Sequence, residues 1–117
     1  MSERERCPVE QTVDVIGGKW RVVILAYLKE GAHRYGELRR RVPGIREKVL
    51  TQRLRQLEAD GLVARDDRGT VPPYVEYRLT AEGASLAPVL QALYDWGVAR
   101  AGTSPARASR PQGRTVS

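Results

Sequence analysis

The chain holds 117 residues, 41% of them hydrophobic, with 20 basic against 14 acidic side chains and a net charge of +6. That is enough apolar content for one modest core and too much for wholesale disorder. No apolar run approaches the roughly 18 residues of a membrane span, and the N-terminus MSERERCPVE lacks the apolar stretch of a signal peptide, so a cytoplasmic protein is expected. Its single cysteine, Cys7, permits no intrachain disulfide.

In chain order, residues 1–6 are polar and read as a flexible N-terminus. Pro8 suits the first position of a helix, which makes Cys7 its N-cap. Val9, Val13 and Ile16 recur at helical spacing until Gly17-Gly18 ends the segment. A second helix follows in KWRVVILAYLKEG, where Trp20, Val23, Ile24, Tyr27 and Leu28 form an apolar face and Gly31 stops it. Tyr35 to Arg41 reads as a short helix closed by Pro43-Gly44, with Leu38 and Val42 inward and Arg39, Arg40 and Arg41 mostly outward. From about Arg46 to Asp60 runs a longer helix with Ile45, Val49, Leu50, Leu54 and Leu57 along its apolar stripe and Gly61 as its terminating residue.

Leu62 to Arg65 reads as a short strand, and Asp66-Asp67-Arg68-Gly69 as a turn. Val75 to Leu79 alternates apolar and polar, as a half-buried strand does. Thr80 caps a final helix over about Ala81–Ala99, with Pro88 kinking it or loosening one turn. After that the chain is Gly, Ser, Pro and Arg, and residues 102–117 read as a disordered basic tail. The fold class is mainly α with a small β-hairpin. Three helices followed by a hairpin make a winged helix-turn-helix over residues 7–101, with extra N- and C-terminal helices.

Charge is unevenly distributed. Residues 31–56 hold eight Arg or Lys against two Glu, whereas residues 57–99 carry net negative charge. A surplus confined to one segment is the footprint of phosphate neutralisation, although a solvated arginine-rich surface gives the same count. The helix from Arg46 sharpens the choice. Opposite its apolar stripe stand Lys48, Thr51, Gln52 and Arg55, with Arg46 at its start. Arg and Lys match the guanine edge, Gln matches adenine, and a Thr methyl suits thymine. A hydrophobic back, a donor-rich front and a tight preceding turn are what a recognition helix needs. Arg39 and Arg40 before it, and Arg68 in the hairpin loop, are expected to reach phosphates or the minor groove. Asp66 and Asp67 work against Arg68, so the wing is expected to be the weaker contact.

The stretches CPVEQTVDVIGGKWRVVIL, RYGELRRRVPGIREKVLTQRLRQLEADGLVAR and VPPYVEYRLTAEGASLAPVLQALYDWG together resemble the HxlR-type family of transcription regulators. The resemblance covers residues 7 to about 99. It implies homodimeric regulators of double-stranded DNA reading two half-sites, with dimer contacts from the first and last helices and no cofactor as a rule. On this chain those contacts fall on Val9 and Val13 in the first helix. In the last helix Leu86, Val89, Leu90, Leu93, Tyr94 and Trp96 offer more apolar surface than a small core needs, and the expected interface there is Leu86, Val89, Leu90, Leu93 and Trp96. Arg46 departs from the family pattern, which has a small hydroxyl residue at that point; Arg cannot cap the helix that way.

Cys7 is the candidate redox sensor. A thiol at a helix N-terminus, near Arg4 and Arg6, favours the reactive thiolate, while Glu3, Glu5 and Glu10 oppose it. Some members of the resembled family sense electrophiles or oxidants through a cysteine at the matching position. A small inert buried residue is the plainer alternative. A small-molecule effector in a hydrophobic pocket between the first and last helices is the other form the signal can take. His33 has no clustered His, Cys, Asp or Glu, so no metal site or catalytic pair is expected and the chain is not expected to be an enzyme. The competing class is a winged-helix module that contacts protein or RNA without reading an operator.

Overall fold

The structure is a computed structural model that describes residues 7–103. The expected flexible N-terminus and nearly all of the expected basic tail lie outside the described residues. The elements run α1 (Pro8–Ile16), α2 (Gly18–Lys29), β1 (His33–Arg34), α3 (Tyr35–Arg41), α4 (Glu47–Ala59), β2 (Val63–Asp67), β3 (Val75–Leu79), α5 (Ala81–Ala84) and α6 (Ala87–Thr103).

Cys7 is the N-cap of α1, as Pro8 at the first helical position requires, and the Glu10 carboxylate accepts its backbone N–H at 3.2 Å. No residue of α1 is buried. Gly17 and Gly18 adopt φ of +42° and +65°, a turn that ordinary side chains resist. In α2 the buried positions are Arg21, Ile24, Leu25 and Leu28, whereas Trp20, Val23 and Tyr27 are half-buried. The inward face is therefore rotated from the expected stripe. Arg21 takes one of the inward positions: one terminal nitrogen of its guanidinium donates to the Val15 carbonyl at 2.6 Å and to Asp60 at 2.7 Å, tying α1, α2 and the end of α4 together, while its buried Nε has no partner. A long side chain whose charged end finds acceptors can occupy a core position.

Val42-Pro43-Gly44-Ile45 turns the chain from α3 into α4, with Gly44 at φ +78° after Pro43, as a type II turn demands. Leu50, Leu54 and Leu57 on α4 are fully buried and Val49 half-buried. The helix ends in a paired cap: Gly61, at φ +79°, donates to the Glu58 carbonyl and Leu62 donates to that of Leu57, each at 3.0 Å.

The sheet is antiparallel in the order β1-β3-β2. Its third strand was not expected: His33 and Arg34 pair with Tyr77 and Glu76. β2 also runs further than the sequence suggests, because Asp66 and Asp67 continue the ladder opposite Glu76 and Val75. The turn proper begins at Arg68, whose N–H meets the Tyr74 carbonyl at 3.0 Å.

The expected single last helix is two. Pro88 has no N–H and its ring opposes the carbonyl four residues earlier, so a continuous helix cannot pass Ala84. α5 closes after one turn, and α6 restarts with Pro88 in its first turn and reaches Thr103, beyond the expected end at Ala99. The chain forms two compact units, one ending at Ala87 and the other beginning at Pro88. The first holds the core of Ile24, Leu25, Leu28, Leu38, Val42, Leu50, Leu54 and Leu57. No helix of the described residues is long and apolar enough to cross a membrane.

Candidate nucleic-acid interface

The solvent face of α4 is assembled from its N-terminus. Arg46 is the N-cap, in extended conformation, and its side chain makes no capping bond. It is exposed, as are Lys48, Gln52 and Arg55. None of these four is engaged by another side chain among the described residues. Their donors therefore point to solvent opposite Leu50, Leu54 and Leu57. Thr51 is different. It is half-buried and its Oγ1 lies 3.1 Å from the Tyr35 hydroxyl, which also donates to the Glu47 carbonyl at 3.1 Å. Tyr35 thus pins the first turns of α4 to α3.

The three consecutive arginines of α3 diverge. Arg39 faces out and pairs with Glu47 at 3.5 Å. Arg40 is exposed and unpaired among the described residues. Arg41 turns back to Glu30 at 3.0 Å, to the Tyr27 ring at 4.8 Å and to the His33 Nε2 at 2.9 Å. A guanidinium only donates, so His33 accepts at Nε2 and carries its proton on Nδ1, which donates to the Gly31 carbonyl at 2.8 Å. His33 is buried and neutral, a brace at the start of α3.

In the wing, Arg68 is exposed but occupied. It reaches Glu76 at 3.2 Å and lies over the Tyr74 ring at 4.3 Å. Arg34 lies over the same ring at 4.3 Å and donates to the Pro73 carbonyl at 3.4 Å. Tyr74 donates to Glu76 at 2.9 Å, and that carboxylate raises the Tyr74 hydroxyl above its usual range. Neither Arg34 nor Tyr74 stands out in the sequence, because their partners lie about forty residues apart and no local spacing announces them.

The structure places the expected dimer residues in three environments. Val9 and Val13 are 68% and 55% exposed on α1. On α6, Val89, Leu93 and Trp96 are also exposed, at a spacing that puts them on one side of the helix. Leu86 is half-buried and Leu90 is buried. Tyr94 and Val98 add exposed apolar area to α6. Cys7 is exposed with a free thiol; the nearby Arg4, Arg6, Glu3 and Glu5 lie outside the described residues. Beside α1, a cleft of about 230 Å³ is lined by Gln11, Thr12, Val15, Leu62, Glu82, Ser85 and Leu86, a mixed rather than hydrophobic wall. No group of three His, Cys, Asp or Glu able to hold a metal occurs among the described residues.

A family model described as HxlR-like helix-turn-helix matches residues 15–104. The chain is 47% identical over 94 residues to the uncharacterized HTH-type transcriptional regulator YybR of Bacillus subtilis (strain 168), spanning 80% of this chain and 75% of that one. It is similar in structure to the redox regulator HypR. The oxidized form gives a TM-score of 0.75 at 46% identity, covering 80% of this chain and 96% of the other. The reduced form gives 0.76 at 45%, covering 80% and 92%. With a three-helix core, a wing and an open donor-rich α4 face, the chain belongs to the HxlR-like helix-turn-helix family.

Proposed function

We propose that the protein is a sequence-specific transcription regulator that binds operator DNA as a homodimer. The carrying observation is the α4 face: Arg46, Lys48, Gln52 and Arg55 project unpaired from a helix whose opposite side is locked into the core. Such a face enters a major groove, Gln52 and Arg55 reading base edges while Arg39, Arg40 and Arg68 meet phosphates. The Thr51 hydroxyl, engaged by Tyr35, leaves its methyl for the groove. A DNA partner is consistent with a cytoplasmic protein whose task is binding rather than catalysis.

The exposed apolar residues of α1 and α6 support homodimerisation, since patches of this kind are seldom left in water. Two protomers then present two recognition helices to half-sites about one helical turn apart, roughly 34 Å. The signal is a redox agent or electrophile acting at Cys7, or a small effector. The likeness to a regulator solved in oxidized and reduced forms, with an exposed thiol at the start of α1, favours the first.

The test is selection of duplexes from a random library by the full chain, followed by mobility shifts. Gln52→Ala or Arg55→Ala should cost about 1–3 kcal/mol and relax preference at particular operator positions. A uniform loss across operator variants reassigns these residues to the backbone, and failure to enrich any sequence ends the operator reading.

A further inference from the structure

Between the start of α3 and the base of the wing lies a cleft of about 360 Å³, lined by Arg34, Tyr35, Gly36, Glu37, Arg40, Pro73 and Val75. Two of its walls belong to the elements already assigned to DNA. Tyr35 reaches from the cleft to Thr51 and Glu47 of α4. Pro73 and Val75 flank Tyr74, on which Arg34 and the wing's Arg68 both stack. On a duplex, one phosphodiester strand separates each major groove from the adjacent minor groove. With α4 in the one and the wing over the other, that strand must cross the protein between them, where this cleft opens.

We propose that the cleft is a phosphate-binding site and that Arg34 is its principal ligand, a contact no local sequence signal marks. The inference rests on α4 being the recognition helix. Arg34 is suited to the task because it is already ordered. Its guanidinium is stacked on Tyr74, whose hydroxyl is anchored on Glu76, and one N–H is held by the Pro73 carbonyl. The remaining N–H groups form a fork that matches a phosphate, with little conformational freedom left to lose. Arg40 supplies the second charge. Gly36 presents no side chain beneath it, and a methyl group there would only reach ordinary contact with the Arg40 guanidinium, at 3.5 Å. One acid opposes the pair: Glu37 lines the cleft, but it accepts the Arg34 backbone N–H at 2.6 Å. Glu76, opposite Arg34 in the sheet, is outside the lining and is paired with Arg68, so among the lining residues two guanidiniums stand against one engaged carboxylate, which favours an anion.

The experiment uses the full chain and a duplex it has selected, with binding measured over a salt series. Each protomer of the dimer carries one Arg34, so Arg34→Gln should lower the slope of log K against log salt by about 1.8 units, and a fourfold rise in salt should weaken it about 12-fold less than wild type. The loss at any one salt should be alike on every duplex, unlike that of Gln52→Ala. A second readout needs no variant. In the wild-type complex, DNA should shield Arg34 from phenylglyoxal, as mapped by mass spectrometry. An unchanged slope, or full modification of Arg34 in the bound complex, overturns the proposal while leaving the recognition helix intact. If wild type binds no duplex, the reading of α4 fails first and this inference with it.

Discussion

Cys7 and Tyr35 show how single side chains acquire meaning from their surroundings. Tyr35 is one aromatic at a helix start, yet its hydroxyl bridges two atoms of α4 and so fixes the pitch at which that helix leaves the core. Cys7 is the N-cap of α1, and its sulfur is open to reagents. Diamide accepts two electrons and two protons when two thiols join. If Cys7 carries the signal, wild-type protein treated with diamide should form a reducible cross-link, or a mixed disulfide when glutathione is added, and change its operator affinity, and Cys7→Ser should do neither. An equal response from both proteins makes Cys7 structural and moves the signal elsewhere.

Among the elements, the junction of α4, β2 and α5 is the most demanding. Thr80 donates through its N–H to the Leu62 carbonyl and through its hydroxyl to that of Gly61, and it accepts the Gly83 N–H at 3.0 Å. Gly83 is buried directly against the Leu62 carbonyl oxygen, and any side chain there would overlap that oxygen. Gly83→Ala should therefore destabilise the fold by about 1–3 kcal/mol, seen as a lower urea midpoint at unchanged slope. An unmoved midpoint would mean α5 shifts freely.

This junction also marks where the sequence is legible. The Thr cap, Gly61 and the α4 stripe are local patterns and stand as expected. β1 does not show itself, because two residues cannot display a period of two. Arg21 sits on the inward face where the nearby Val15 carbonyl and the distant Asp60 meet it, and charge alone argued for the opposite face. The break after Ala84 follows from Pro88 acting four residues upstream, further than a kink at its own position suggests. In the candidate site, the α4 donors were readable from spacing of three and four. Arg34 was not, since its stack on Tyr74 exists only once β1 pairs with β3.

For the whole molecule, assembly and grip remain to be weighed. Val89, Leu93 and Trp96 give α6 an apolar line that water does not favour. Leu93→Glu should yield monomers by light scattering and weaken operator binding about a hundredfold or more, since each half-site then binds without its tethered neighbour. A stable dimer would place the interface elsewhere. Two of the arginines proposed to meet phosphates are already paired in the free protein: Glu47 stands before Arg39 and Glu76 before Arg68. If these guanidiniums bind phosphates as proposed, each exchanges one anion for another and gains less than a bare arginine would. Under that reading the two acids act as a clutch, loosening the hold on any duplex alike and leaving the discrimination to α4.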